Sequence, residues 1–104
     1  MKMIKAIIRP EREENVIRAL EESGFYSLTK LDVLGRGRQR GIQVGNTSYD
    51  ELWKLMLMIV VEDKESERVT QLIQQHARTG NFGDGKIFVT HVEEAYTIRT
   101  GQKR

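Results

Sequence analysis

The chain has no cysteine, one proline and few aromatic residues, and each scarcity excludes a class of structure. Without cysteine there are no disulfides and no thiolate metal ligands, which suits a reducing compartment. The longest apolar run, residues 55–61, is far shorter than the roughly 20 residues that span a bilayer. Charges at Lys2, Lys5 and Arg9 interrupt the N-terminal segment, which therefore does not resemble a signal peptide. We expect a cytoplasmic protein with no membrane insertion.

The length and the charge distribution limit what the chain can bind. A chain of 104 residues has room for one domain, and so small a domain gains stability if it self-associates. The net charge is only +2, but basic residues cluster in residues 35–41 (GRGRQRG) and 99–104 (RTGQKR). These clusters indicate an anionic ligand or partner rather than a generally basic surface.

The apolar periodicity predicts an α+β fold. Alternation indicates strands over residues 1–9 and 28–34, and the apolar run 55–61 indicates a third strand. Residues 87–92 form the predicted fourth strand. Helices are predicted between Pro10 and Gly24, and between Asp63, as N-terminal cap, and Gly80. The order βαββαβ is that of a ferredoxin-like fold. No period holds between residues 35 and 53, which predicts a long loop, placed over residues 36–54, and residues 93–104 form a tail.

The composition of the third strand predicts that both faces of the sheet are covered. Two helices can cover one face only, whereas residues 55–61 are apolar at every position. Another copy of the chain is the simpler cover, and the alternative is that the loop or the tail folds beneath the sheet.

Residues 79–86 form a glycine-rich turn with the chemistry of an anion site. Gly80 to Lys86 matches G-x-x-x-x-G-K, but Ile87 replaces the hydroxyl residue and the order is helix, loop, strand, so this is not a P-loop. Gly83 and Gly85 can still direct backbone amides at a phosphate, with Lys86 supplying charge. The alternative is a structural turn in which Asp84 caps its own backbone.

Cations from other segments favour the phosphate hypothesis. Arg38 and Gln39 follow the second strand and Arg99 lies on the tail, so separate segments could close one phosphate site. An RNA-binding module is a minor alternative, because the basic segment is short and the predicted first and third strands lack the aromatic triplet that stacks on bases. An ATP-hydrolysing enzyme is a further alternative, although no catalytic base stands near the turn.

Four segments together resemble the PII signal-transduction family: AIIRP, LGRGRQRG, ARTGNFGDGKIFV and VEEAYTIRTG. The resemblance runs from Met1 to Gly101, with its only gap in the long loop. Within the family, the shortened loop and the tail most resemble the NifI branch, specifically the first of the paired NifI proteins. The resemblance implies a homotrimer that is not an enzyme, with ATP or ADP bound between neighbouring subunits. A second NifI-like protein is a candidate partner.

The resemblance also implies which residues bind the effectors. Mg²⁺ would bridge ATP to 2-oxoglutarate through Gln39, and the keto acid would be held by the backbone of Gln39, Arg40 and Gly41 and by Lys54. The phosphates would lie against the turn with Arg38 and Arg99, the adenine against three apolar or hydroxyl residues, and two glycines would allow close approach of the backbone. The part of the turn against the phosphates would be Gly83, Asp84, Gly85 and Lys86. Ile7, Thr29 and Val60 would contact the adenine, and Gly35 and Gly37 would let the backbone pass close to it.

The resemblance implies that the bound ligand determines the conformation of the long loop. It also implies that the loop acts on a nitrogenase component. The alternative is a PII protein that acts on an ammonium transporter or another target of nitrogen metabolism. Tyr49, Asp50, Glu51 and Trp53 are candidates for partner contact, with ordinary packing as the alternative for Trp53. Thr97 replaces an arginine that many relatives carry, which weakens the expected phosphate grip. Tyr49 does not align with the modified tyrosine of enterobacterial PII proteins, so uridylylation is not expected.

Overall fold

A computed structural model describes residues 1–36 and 51–104 and confirms the α+β, ferredoxin-like fold. Within these residues four strands form one antiparallel sheet in the order β2-β3-β1-β4, as the split βαβ arrangement requires. The elements, in chain order, are β1 (Lys2–Ile8), α1 (Glu13–Glu22), β2 (Thr29–Arg36), β3 (Glu51–Val61), α2 (Ser66–Ala77) and β4 (Gly85–His91).

The core lies between the two helices and one face of the sheet. Alternate residues of the central strands are buried, among them Ile4 and Ile8 of β1 and Leu57 of β3. Leu20 of α1 and Ile73 of α2 are also fully buried and belong to the same cluster. The two periods seen in the sequence, two in strands and about 3.6 in helices, therefore place one continuous apolar layer between helices and sheet.

Each helix begins with a short 3-10 turn, Pro10–Arg12 before α1 and Asp63–Glu65 before α2. The expectation that Asp63 caps the second helix is wrong, because no side-chain cap hydrogen bond forms there. One Asp63 carboxylate oxygen instead lies 2.9 Å from the N-terminal ammonium, since β1 and β3 pair with Lys2 opposite Val61. No helix in the described part of the chain is long and apolar enough to cross a membrane.

The β2–β3 hairpin continues beyond the limits that periodicity predicts. Residues 35 and 36 and residues 51–54, assigned to the loop from sequence, belong to strands, with Gly35 opposite Leu52 and Arg36 opposite Glu51. This end of the hairpin extends past β1, which ends with Ile8 opposite Leu55. Backbone pairing and the Arg36–Glu51 ion pair, 3.3 Å long, join its strands. Because this end is largely exposed, no apolar alternation marks its boundaries.

The face of the sheet away from the helices is largely apolar. Met3 and Ile7 of β1 and Met56 and Met58 of β3 lie on it half-buried, and Phe88 of β4 lies on it 49% exposed. These residues lie in adjacent rows across the strands, and Lys5, opposite Met58 and Phe88, lies among them on the same face. That a second copy of the chain covers this face stays a prediction.

We predict that Ile73→Ala lowers the free energy of unfolding by about 2–5 kcal/mol, because it leaves a cavity in the core. Gln71→Ala, on the exposed side of the same helix, should change it by no more than about 0.5 kcal/mol. Chemical denaturation of both variants measures the difference. Equal effects would contradict the assignment of the core.

Candidate functional site

The candidate site begins with a row of charged residues at one end of the sheet. Ile8 pairs with Leu55 on one side and with Gly85 on the other. The next residues beyond these pairs are Arg9 after β1, Lys54 in β3 and Asp84 before β4. Since side chains alternate along a strand, all three continue the open face of the sheet rather than the core face. The strand register therefore brings two cations and a carboxylate together from three parts of the chain.

The Asp84 carboxylate folds the glycine-rich turn. Its Oδ2 accepts hydrogen bonds from the backbone amides of Thr79 at 2.9 Å and Gly80 at 2.8 Å. Its Oδ1 accepts one from the Thr79 hydroxyl. Asp84 thus caps its own turn, the structural role that the sequence left open, and its oxygens face the turn rather than a ligand. Any anion contact of this segment then comes from its backbone amides and from Lys86.

Two cations bind the outer part of the turn. The Arg9 guanidinium donates through Nε to Asp84 Oδ1 at 2.9 Å and through Nη2 to the Phe82 carbonyl at 2.6 Å. The Lys54 ammonium donates to the next carbonyl, that of Gly83. Arg9 is absent from the residues predicted from sequence. The signal that could have identified it is its position just beyond β1, where the register places it beside Asp84.

These contacts change the ionisation of two groups. Partial burial raises the pKa of Asp84, but the hydrogen bonds from Thr79, Arg9 and Gly80 outweigh it and hold the pKa well below its usual range. Partial burial lowers the pKa of Lys54, and the nearby Arg9 charge lowers it further. The turn is therefore held by an ionised carboxylate over the whole neutral range.

All three glycines of the turn, Gly80 included, have a positive φ. Gly83 and Gly85 have φ of +93° and +112°, in the region that side chains disfavour. A Cβ at Gly85 would also overlap the carbonyl oxygen of Ile7 on the paired strand. The close approach of β4 to β1 at this point therefore depends on the absence of a side chain.

A cleft of ≈ 460 Å³ opens beside the turn, between α2 and the ends of β1 and β4. Thr70 and Gln74 of α2 line it, together with Arg78, Gly85 and Lys86. Its volume lies within the range of small-molecule sites. The cleft and the turn share Asp84, Gly85 and Lys86, so the turn forms part of the cleft wall.

The other predicted site residues that the structure describes lie in different parts of the sheet. Ile7 lies opposite Lys86 and belongs with the turn, and Gly35 lies on the hairpin opposite Leu52, with Lys54 adjacent to it. Val60 lies opposite Met3, towards the other end of the sheet. Thr29 is exposed on the edge strand β2, opposite Met58.

Arg99 belongs to the tail, which is anchored at the far end of the sheet. The Val92 amide donates to the Met1 carbonyl at 3.0 Å, and Arg104 lies 3.8 Å from Glu62. Six residues of β4 separate this end from Gly85, about 20 Å at the usual strand rise. Among the described residues Arg99 makes no hydrogen bond or ion pair with the turn. The structure thus does not bring Arg99 to Lys86 within one chain.

Five predicted site residues lie outside the described residues: Gly37, Arg38, Gln39, Arg40 and Gly41. The partner-contact candidates Tyr49 and Asp50 do so too. Within residues 1–36 and 51–104 no three His, Asp or Glu side chains come together as a metal site would require. Gln39, the Mg²⁺ ligand that the resemblance implies, lies outside the described residues, so its role stays a prediction.

Comparison with known proteins assigns the family. The model of the family "Nitrogen regulatory protein P-II" matches residues 1–102 of the chain. The chain belongs to the P-II family. This agrees with the ferredoxin-like fold and with the segments that carry the resemblance, and it makes the chain a member of a family of nitrogen-regulatory proteins.

Individual relatives cover almost the whole chain. A "Nitrogen fixation nifHD1 region GlnB-like protein 1" of Methanosarcina barkeri is 59% identical over 102 residues, 98% of this chain and 97% of the relative. A "Nitrogen fixation nifHD region glnB-like protein 1" of Methanococcus maripaludis is 59% identical over 100 residues, 96% and 95% of the two chains. A "Nitrogen regulatory protein P-II 1" of Methanothermobacter thermautotrophicus is 46% identical over 106 residues, 98% and 92%. The chain is thus most similar, among these three, to the proteins named for nitrogen fixation regions.

We predict that Gly85→Ala lowers the free energy of unfolding by about 3 kcal/mol or more, because it adds a backbone clash to the strain of a positive φ. Gly80→Ala is the matched control, since Gly80 has φ +91° but no atom lies within 4 Å of the position that its Cβ would take. It should cost only the strain, about 1–2 kcal/mol. Equal losses in thermal or chemical denaturation would contradict the close approach of Gly85 to Ile7.

We predict that Asp84 makes stability depend on pH. Its pKa is lower in the folded than in the unfolded chain, so the ionised carboxylate stabilises the fold above the unfolded value of about 3.9, and this is lost as pH falls. Asp84→Asn should be less stable at pH 7, and its deficit should shrink from about pH 5 downwards. Gln75→Ala, at an exposed residue of α2 that does not ionise, should keep a constant difference from the wild type. A pH-independent deficit in Asp84→Asn would contradict the ionic role.

Proposed function

We propose that the chain is a signalling protein that binds ATP or ADP and 2-oxoglutarate and controls a nitrogenase component. The observation that carries this proposal is the glycine turn, whose carboxylate and two carbonyls are engaged by the protein itself. The amides of Thr79, Gly80 and Asn81 donate within the turn. Among the described residues, the Gly83 amide and the exposed Lys86 remain for an anion. Positive backbone amides and one fixed cation suit a polyphosphate better than a neutral ligand.

The division of the predicted residues supports a site shared between subunits. Ile7, Lys54 and residues 83–86 lie at one end of the sheet, whereas Val60 and the base of the tail that carries Arg99 lie at the other. One nucleotide cannot meet both groups within one chain unless the tail moves. If the apolar open face packs against other copies in a trimer, the turn of one subunit can face the tail of its neighbour.

The effectors fit around this frame as follows. The turn amides and Lys86 bind the phosphates, with Arg38 and Arg99 adding cations, and Ile7, Thr29 and Val60 line the adenine. Mg²⁺, when bound, offsets phosphate charge, and Gln39 is its protein ligand. Lys54 is half-buried beside the turn, where it can pair with a carboxylate of 2-oxoglutarate.

The β2–β3 hairpin is the proposed route from ligand to target. Lys54 belongs to β3, the strand that follows the long loop in the chain. A ligand bound to Lys54 can therefore change the conformation of the loop. Trp53 is 64% exposed and pairs across the hairpin with Leu34, which is 53% exposed. This exposed pair favours partner contact for Trp53 over ordinary packing.

Nitrogenase is proposed as the target because relatives 59% identical to the chain are named for nitrogen fixation regions. The number in those names is consistent with a second, paired protein. The alternative of an ammonium transporter as target keeps the same effector site and differs only in the loop contacts. An ATP-hydrolysing enzyme would instead turn over ATP at about 1 per second or faster.

Calorimetric titration tests the effector site. Wild-type protein should bind ATP with Mg²⁺, and 2-oxoglutarate should bind tightly only when ATP is present. Lys86→Ala should weaken ATP by about 1.5–3 kcal/mol, the value of a charge-assisted hydrogen bond. Lys64→Ala, an exposed residue of the Asp63–Glu65 turn, is the control and should bind as the wild type. Unchanged affinity in Lys86→Ala would remove Lys86 from the site.

Mixed oligomers test whether the site is shared. Lys86→Ala and Arg99→Ala subunits should each bind ATP weakly alone. Oligomers refolded from both should regain a fraction of wild-type sites, because an intact turn then meets an intact Arg99 of a neighbour. No recovery, in mixtures shown to contain both subunits, would contradict a shared site.

A further inference from the structure

Two consecutive carbonyls of the glycine turn are held by cations from two different strands. Arg9, at the end of β1, donates to the Phe82 carbonyl at 2.6 Å. Lys54, in β3, donates to the Gly83 carbonyl. Both cations lie in the row beyond the strand pairs, so both carbonyls are directed towards the same end of the sheet.

The direction of a carbonyl determines the direction of the next amide. The peptide bonds of the described residues are all trans, and in a planar trans peptide the N–H points opposite to the C=O. With the Phe82 carbonyl held by Arg9, the Gly83 N–H points away from Arg9. With the Gly83 carbonyl held by Lys54, the Asp84 N–H points away from Lys54. Two successive amides are thus turned outwards, on the side opposite the cations.

The outward amides have the features of an anion nest. The Gly83 N–H donates no hydrogen bond to any other described residue. Phe82 and Gly83 form a tight turn that brings the Asp84 N–H near the Asn81 carbonyl, although no well-formed hydrogen bond joins them. Gly83 has φ +93°, the left-handed conformation that a nest requires at one of its residues. Successive N–H groups that converge in this way bind phosphate or carboxylate oxygens.

We propose that Arg9 is a positioning residue, which with Lys54 orients the peptides after Phe82 and Gly83 so that their amides face the anion. This inference rests on the proposed function and adds a role to it. Arg9 holds the turn through Nε and Nη2, which donate to Asp84 and Phe82, and the experiment below distinguishes this role from direct contact of its other N–H groups with the ligand. Asp84 supports the same geometry by anchoring the start of the turn at Thr79 and Gly80.

Substitution of Arg9 tests this role with two readouts. Arg9→Met should weaken ATP about 10- to 100-fold, the loss of one charge-assisted bond. In ¹⁵N-labelled protein, ATP should shift the amide resonances of Gly83 and Asp84 in the wild type and shift them much less in Arg9→Met. Arg9→Lys, which retains one donor, should restore part of both effects and serves if Arg9→Met does not fold.

Lys30→Met is the matched control, because Lys30 makes a comparable ion pair with Glu13 at 2.7 Å but lies outside the site. It should leave the affinity and both resonances unchanged.

The outcomes separate this inference from the proposed function. If Lys86→Ala weakens ATP but Arg9→Met does not, the positioning role is wrong and the site stands. If Arg9→Met loses affinity while the Gly83 and Asp84 shifts persist, Arg9 contacts the ligand directly and positioning is again wrong. If the wild type does not bind ATP, the proposed function itself fails.

Discussion

The Asp84 carboxylate, held between the Arg9 guanidinium and the amides at the start of its own turn, is the interaction on which the candidate site depends. Segments with three glycines in six residues have a large conformational entropy, and nothing in their own sequence selects one conformation. Asp84 removes this freedom by joining the two ends of the turn. Arg9 then attaches the turn to the sheet.

This interaction exists because the sheet register brings its parts together. β1 lies between β3 and β4, so the residues that follow the last paired row come from three separate parts of the chain. The core face of these strands is filled by Ile and Leu side chains, which makes a register shift costly: a shift by one residue would turn those side chains outwards. Core packing therefore maintains the charged row.

The structure also changes the meaning of several predicted residues. Asp84 was expected among the groups that contact phosphate, whereas its oxygens are occupied within the turn, and Arg9, which was not expected, holds it. Lys54 was implied by resemblance alone to bind a keto acid, and it lies against the turn. Arg99 and Lys86 were expected to act together, and they belong to opposite ends of one subunit, which is why a shared site is the economical explanation.

The amino-acid sequence by itself determined the element order, the ferredoxin-like topology and the family, because strand and helix periods and glycine spacings are local properties. It was less accurate at the ends of elements: the exposed hairpin extended further than periodicity indicated, and Asp63 found the N-terminus instead of a helix amide. Only the tertiary structure decided that Arg9, Lys54 and Asp84 form one row and which carbonyls the two cations bind. Those contacts join residues 29 to 75 positions apart, and such pairings arise only when burial of the core sets the strand register.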